Sequence, residues 1–445
     1  MRVSTGQRML AAAGLLACAI APGVQAAELA GAVRKPSVEV KGQPEFSAAT
    51  VGTLKRNDPV KVAAQQGLWY RIAAPGGYLR VNDVRLAASV GAEQAMGFSG
   101  RSGKGRVNES ASVRGLGETA LKAAAYDGAQ LAQMQGYRAT AAAAASAARA
   151  KGWEDTQVAY AGEAPHAAQQ RNTSTRAQKR GGLSAMRGAL SQLGLGGLGG
   201  GAASSVLDVA DAGASKSEAE QTEEELQLGP EMAGRVLGAA PLWNNAEAQR
   251  RVNLLGRWVA SHSARPDLPW TFGVIDSAEV NAFAAPGGYV LVTRALYELA
   301  AADDELAGAL AHEVSHIVER DHYNVIRKQA MTAAGTSALT SRVNVGAGIA
   351  DGYLRDYLNQ FGASVLATRL DRAVEYRSDE AAGYYLARSG FNPLGLYAVL
   401  QRMSALGAGS ARMSSLDRTH PAMGERLDRL DQRGFTALER YTARD

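Results

Sequence analysis

The 445-residue chain has a single cysteine, Cys18, so disulfides play no part in its stability. Aromatic residues are scarce at 6%, whereas glycine reaches 50 residues; that balance predicts long flexible stretches between compact parts. A strong charge of one sign is lacking too. The net charge of +5 is small for this length and is not clustered, which argues against nucleic acid as a partner. No stretch after the N-terminus reads as transmembrane. The apolar patches near 193–207 and 330–350 are Gly- or Ser/Thr-rich and interrupted by charge. The glycine run 193–201 lacks the Lys and Ser/Thr of a phosphate loop, which excludes that mode of nucleotide binding. The length leaves room for two or three domains and a sizeable core.

The chain begins with what reads as an export signal over residues 1–26. Arg2 and Arg8 form a basic n-region, and Met9 to Ala21 an apolar run too short to span a bilayer. Pro22 breaks that run, and Val24-Gln25-Ala26 offers a small-residue cleavage site. The expected destination is the periplasm or the medium, and cleavage would remove the only thiol. The alternative is a lipoprotein anchored through Cys18, since Leu15-Leu16-Ala17-Cys18 resembles a bacterial lipobox.

Residues 27–88 read as a small all-β unit. Val38-Glu-Val40, Val60-Lys-Val-Ala63 and Trp69-Tyr-Arg-Ile72 alternate apolar and polar residues between turns at Asn57-Asp58-Pro59 and Pro75-Gly76-Gly77. The order of these runs resembles a bacterial SH3-like barrel, with the usual Gly-Trp-Val degraded to Gly77-Tyr-Leu-Arg-Val81. That resemblance implies cell-wall peptides or envelope proteins as ligands, against an inert spacer; Trp69 reads as core. Residues 89–222 are Ala/Gly/Ser-rich and read as linker, with some helical periodicity from Val113 to Tyr137. His166 falls there as a solvated side chain. The acidic run Glu223-Glu-Glu225 opens the next domain, 223–445.

The chemistry centres on Leu306-Ala-Gly-Ala-Leu-Ala-His312-Glu313-Val-Ser-His316, which reads as an amphipathic helix. Each helical residue turns about 100°, so His312 and His316 stand about 40° apart on one face and can bind one metal ion. Glu313 lies on the adjacent stripe, where it can take a proton from a metal-activated water. A third ligand must come from elsewhere. His322 follows His316 by six residues, but Glu319 stands where a helix-breaking glycine would be needed. A continuing helix would carry His322 roughly 120° off the face. Glu375 and Asp379, four apart on an expected helix, share a face. Glu375 can ligate, and Asp379 can accept the other N–H of a ligating His. The spacing alone equally fits a solvated charged helix around Arg377. Trp270-Thr-Phe-Gly-Val-Ile275 and Gly288-Tyr-Val-Leu-Val-Thr293 read as a hairpin or two neighbouring strands. Asn281-Ala-Phe-Ala284 between them is an edge strand for substrate or an ordinary buried strand.

Four blocks occur in order: Asn281-Ala-Phe-Ala-Ala-Pro-Gly-Gly-Tyr-Val290, Leu310-Ala-His312-Glu-Val-Ser-His316, Arg372-Ala-Val-Glu375-Tyr-Arg-Ser-Asp379, and Thr419-His420-Pro421 followed by Arg426. Across about 225–435 the chain resembles the zinc metallopeptidase family of the HtpX heat-shock proteases, the CAAX prenyl proteases and BepA-type periplasmic proteins. The resemblance implies zinc on His312, His316 and Glu375, Glu313 as general base, and Asp379 orienting a ligand. It implies Asn281 on the substrate strand, and His420 near the reacting carbonyl or capping the metal, supported by Arg426. Lacking the membrane helices of two branches, the chain is similar to the soluble periplasmic branch. Residues 327–371 form an insertion, either a lid over the cleft or a packed helical hairpin.

The expected fold is α+β, a mainly helical gluzincin peptidase domain with a small sheet behind an SH3-like barrel. The expected function is zinc-dependent cleavage of unfolded or misassembled envelope proteins. The alternative is a chaperone-like or scaffolding envelope factor with a latent zinc site, and cell-wall peptide hydrolysis is a third reading.

Overall fold

The computed structural model describes residues 28–89, 91–98, 116–163, 217–340 and 356–444. The expected export signal with Cys18, the glycine run 193–201, His166 and the middle of the 327–371 insertion lie outside the described residues.

The protein is α+β. The alternating runs near the N-terminus form seven short strands: β1 (Leu29–Val33), β2 (Ser37–Lys41), β3 (Thr50–Lys55), β4 (Pro59–Gln66), β5 (Trp69–Ile72), β6 (Tyr78–Arg80) and β7 (Val84–Leu86). They pair antiparallel in the order β3-β2-β6-β5-β4-β1-β7. The period of two is visible in β4, where Val60 and Val62 are buried and Pro59 and Lys61 exposed. Trp69 is a core residue, as expected.

Within the stretch expected as linker, residues 116–163 build α1 (Glu118–Ala123), α2 (Gly128–Gly136) and α3 (Ala141–Lys151). Asp127 and Thr140 cap α2 and α3 by accepting from Gln130 N at 2.9 Å and Ala143 N at 3.1 Å. Leu121, Leu131, Met134, Ala144 and Ala148 are buried. The composition misleads here for a physical reason. Alanine is the best helix former, and a helix of alanines buries a face by close approach rather than by large side chains.

The C-terminal half opens with α4 (Glu218–Ala239), started by a Ser217/Glu220 capping box, and α5 (Ala246–Ser261). A three-stranded sheet follows: β8 (Thr271–Ile275), β9 (Ala282–Ala285) and β10 (Tyr289–Thr293), in the order β8-β10-β9. The two apolar runs are parallel neighbours, and β9 with β10 makes the hairpin. Its turn uses Gly287 and Gly288 at φ 73° and 99°, which suit glycine. The helices α6 (Arg294–Leu299), α7 (Asp303–Val318), α8 (Asp321–Thr340), α9 (Arg372–Arg388), α10 (Leu394–Leu406), α11 (Leu416–Thr419) and α12 (Met423–Arg429) complete the domain. In the insertion, Tyr357, Leu358, Ala363, Val365 and Leu366 are buried in the core, so these residues pack rather than hang over the cleft.

The sequence predicts an amphipathic α7, but every residue from Glu305 to Val318 is buried. Sheet strands β9 and β10 and helices α5, α9 and α10 surround it. Small residues permit this. A Cβ on Gly308 would lie 2.5 Å from Leu396 N, and one on Gly395 2.1 Å from Asp304 O. The N-terminal sheet docks on the same helices. Gln401 of α10 accepts from Leu86 N at 2.9 Å and donates to Val81 O and Val84 O at 2.7 and 2.6 Å. Arg85 pairs with Asp428 and Asp431. Gln65 of β4 donates to Glu305 on α7.

Gly308→Val should therefore push α7 off α10 and destabilise by about 1–3 kcal/mol or more. A urea titration followed by far-UV circular dichroism reads this, and an unshifted midpoint would contradict the close approach.

Candidate metal centre

His312 and His316 lie one turn apart on α7, with their Nε2 atoms 3.1 Å from each other. Each outer nitrogen is already engaged. His312 Nδ1 is 2.9 Å from Asp379 Oδ1, and His316 Nδ1 is 2.8 Å from Asp321 Oδ2. An ionised carboxylate only accepts, so both Nδ1 atoms carry the proton and neutral rings present both Nε2 lone pairs to each other. That arrangement is repulsive unless a positive charge lies between them. Burial and Arg426 push the His312 imidazole down, yet the carboxylates of Asp379 and Glu375 carry it up to about 9. The pocket favours a cation.

Glu375, in the first turn of α9, supplies the third donor. Its Oε2 is 3.6 Å from His312 Nε2, and its Oε1 is 3.7 Å from His316 Nε2. Oε1 is buried and accepts no hydrogen bond. Ligand atoms about 2.0–2.2 Å from one tetrahedral zinc stand roughly 3.3–3.6 Å apart. The three spacings fit one ion, and a ligated Oε1 is no longer an orphan.

Asp379, one turn beyond Glu375, is clamped by Arg426, whose Nε donates to Oδ2 at 2.9 Å and Nη2 to Oδ1 at 2.5 Å. Burial would raise this carboxyl, but Arg426 and His312 hold it down at about 2. Arg426 thus serves Asp379, where the sequence predicts support for His420. His420 follows α11 and places Nδ1 2.6 Å from Glu375 Oε2. Burial opposes ionisation of Glu375, but His420 and His312 hold its carboxyl far below the usual range. His312, Glu375 and His420 offer ligand atoms within 4.8 Å of one another. Glu313 is 5% exposed and accepts no hydrogen bond from any described residue. Asn281 is buried: its Nδ2 donates to Ser415 Oγ at 3.0 Å and its Oδ1 accepts from Ala282 N at 2.9 Å. It fastens the start of β9 to the loop before α11.

One partner of the centre is invisible in the sequence. A continuing helix is predicted past Glu319, but α7 ends at Val318 and Arg320 adopts φ 59°, a conformation uncommon outside glycine. The chain turns a corner there, and Asp321 returns to His316. Arg377 then holds Asp321 through Nη2 at 2.6 and 2.7 Å. The corner is anchored from α4. Arg320 Nε donates to Glu225 Oε2 at 2.8 Å, and Arg265 bonds the same carboxylate at 2.6 and 3.0 Å. Arg265 also donates to Ile317 O at 3.0 Å, at the end of α7. His322 follows the corner with its ring centroid 6.0 Å from that of His316 and is not drawn into the ligand cluster.

Two outcomes test this geometry. Glu375→Ala should lose the metal while His322→Ala keeps it, read as metal content after dialysis; the reverse would revive His322. Asp321→Ala should weaken metal affinity roughly 10–100-fold. Arg320→Ala should weaken it in the parent but add little in the Asp321→Ala background. Additive losses in a chelator competition would separate the corner from the centre.

The profile described as "Peptidase family M48" matches residues 246–434. The chain is similar to the β-barrel assembly-enhancing protease of Escherichia coli, 28% identical over 215 residues, which cover 46% of this chain and 42% of that protein. It is similar to the mitochondrial metalloendopeptidase OMA1 of Schizosaccharomyces pombe, 28% identical over 172 residues, 38% of this chain and 48% of that one. A protease HtpX homolog of Salinibacter ruber is 28% identical over 225 residues, 44% of this chain and 79% of that one. The chain spans less than half the length of the first two. With its His-Glu-x-x-His helix, carboxylate donor and matched segment, the chain carries a metallopeptidase domain of family M48.

Proposed function

We propose that this chain is an exported zinc endopeptidase acting on unfolded or misassembled envelope proteins. The observation that carries the reading is Glu375 Oε1, buried without a hydrogen-bond partner and 3.7 Å from His316 Nε2 beside a second unengaged imidazole nitrogen. His312, His316 and Glu375 would hold the ion. When bound, zinc supplies Lewis-acid polarisation of the scissile carbonyl and lowers the pKa of a water. Glu313, buried and without a competing donor, takes the attacking water's proton and passes it to the leaving amine. Asp379 and Asp321 keep the protons on the Nδ1 atoms, so Nε2 of each ring stays free to ligate. Asn281 shapes the substrate strand by fixing the start of β9. Export follows from the N-terminal signal, and no helix among the described residues is long and apolar enough to cross a membrane. The name of the E. coli relative refers to β-barrel assembly, which supports envelope proteins as the substrate class.

We read the N-terminal sheet as an SH3-like barrel. Arg80 lies over its Phe46 and Trp69 rings at 4.9 and 5.1 Å and donates to Thr442 O and Arg444 O at 2.8 and 2.7 Å. A cell-wall peptide or envelope protein bound there would compete with the chain's own C-terminal segment, which favours a docked, structural unit. A second reading of the centre is latency. His420, hydrogen-bonded to Glu375, would cap the ion as a fourth ligand, leaving a chaperone-like factor until it moves.

Glu313→Gln should retain zinc and lose cleavage of casein and of unfolded outer-membrane protein by at least about a hundredfold. Undiminished cleavage by that variant would remove the assigned base. If the unmodified protein is inert and His420→Ala cuts, the latent reading holds.

A further inference from the structure

Beside the centre a cleft of about 1260 Å³ opens against α11. Its walls come from four places distant in sequence: Glu118 on α1, Gly238 at the end of α4, Thr368 and Arg369 ahead of α9, and Ser415 and Arg418 around α11. Most of the lining is alanine, glycine, serine or threonine, so the charge in it comes from few groups. Arg369 and Arg418 are both exposed, and neither guanidinium makes a hydrogen bond or ion pair with any described residue. Glu118 is the one acid among the lining residues. Four other arginines near the centre are committed: Arg426 to Asp379, Arg377 to Asp321, Arg320 and Arg265 to Glu225.

The cleft touches both elements that frame the catalytic face. Thr419 lines it and immediately precedes His420. Ser415 lines it and accepts the hydrogen bond from Asn281 at the head of edge strand β9. An extended polypeptide laid along β9 and past His420 would continue into this space. Two guanidinium groups line one cleft and outnumber its single carboxylate. That excess of positive charge suits an anion, and the guanidinium fork matches a carboxylate in two parallel hydrogen bonds.

We propose that this cleft is a substrate subsite for an acidic segment of the polypeptide, its carboxylates received by Arg369 and Arg418. The proposal rests on the peptidase reading, and its test is kept separate from it by measuring binding rather than turnover. The full chain carrying Glu313→Gln, loaded with zinc, is titrated into fluorescent twelve-residue peptides. These share one sequence apart from a central pair of Asp-Glu, Ser-Gln or Lys-Lys, and each is made with a free and an amidated C-terminus. Fluorescence anisotropy at fixed ionic strength gives the affinities. The acidic peptide should bind about tenfold or more tightly than the neutral one, the worth of a charged hydrogen-bonded contact. Arg369→Gln with Arg418→Gln should abolish that margin and leave the neutral peptide unchanged, and Arg369→Glu with Arg418→Glu should turn it toward the basic peptide. An equal loss of affinity by all three peptides on amidation assigns the subsite to a terminal carboxylate and overturns the proposal; a margin that persists on amidation assigns it to acidic side chains. Equal binding of the three peptides, or a margin that survives both double variants, overturns the proposal. Cleavage by the unmodified chain, assayed in parallel, decides the peptidase reading by itself.

Discussion

The constraint on which the rest depends is the burial of ionisable groups on α7. Glu305, His312, Glu313 and His316 all lie inside a helix wrapped on every side. Such groups are costly in a dry interior unless each finds a partner or a metal. The surrounding elements answer that demand one group at a time. Asp379 and Arg426 take one face of His312, Asp321 and Arg377 take His316, and Ala301 N with Gln65 takes Glu305. Among the described residues, Glu313 and one oxygen of Glu375 are left without a hydrogen-bond donor, and those are groups that hydrolytic chemistry needs free.

The same constraint explains why the helix packs so closely. Backbone contact at Gly308 and Gly395 brings α7 and α10 together and fixes the candidate ligands His312 and His316 on a rigid element rather than a loop. The corner at Arg320 is one of two places among the described residues where a non-glycine backbone takes a positive φ, the other being Asn57 in the N-terminal sheet. The corner is held by two side chains, Arg320 and Arg265, converging on the buried carboxylate of Glu225 and the Thr222 hydroxyl, enough to keep a non-glycine residue at positive φ.

Much of the centre was legible because it is written at helical spacing. His312 to His316 and Glu375 to Asp379 are each one turn, so local geometry alone puts each pair on a common face. Asp321 was not legible, since it reaches His316 only through a helix break that no glycine or proline announces. Arg426 could be seen as a participant but not assigned, because its partner is decided by how α12 packs on α9. The fold behaves alike. Period-two strands such as β4 declared themselves, whereas 116–163 looked like linker because alanine-rich segments read as featureless until packing shows which alanines are inside. The acidic run at 223–225 looked like a boundary and turned out to hold two buried carboxylates, Glu224 and Glu225, bonded to Tyr323 and to arginines. Charge in a sequence marks a surface only when no counter-charge waits in the fold.

The segment marked by family similarity, 246–434, is smaller than the unit that builds the centre. Gln65 reaches Glu305 at one end of α7, and Glu225 holds Arg320 just past the other, both from outside that segment. A domain boundary drawn by similarity would therefore cut two buried polar contacts at the ends of the ligand-bearing helix. In this protein the segment marked by similarity and the set of residues that build the centre are different objects, and the flanking sequence takes part in the centre rather than merely packaging it.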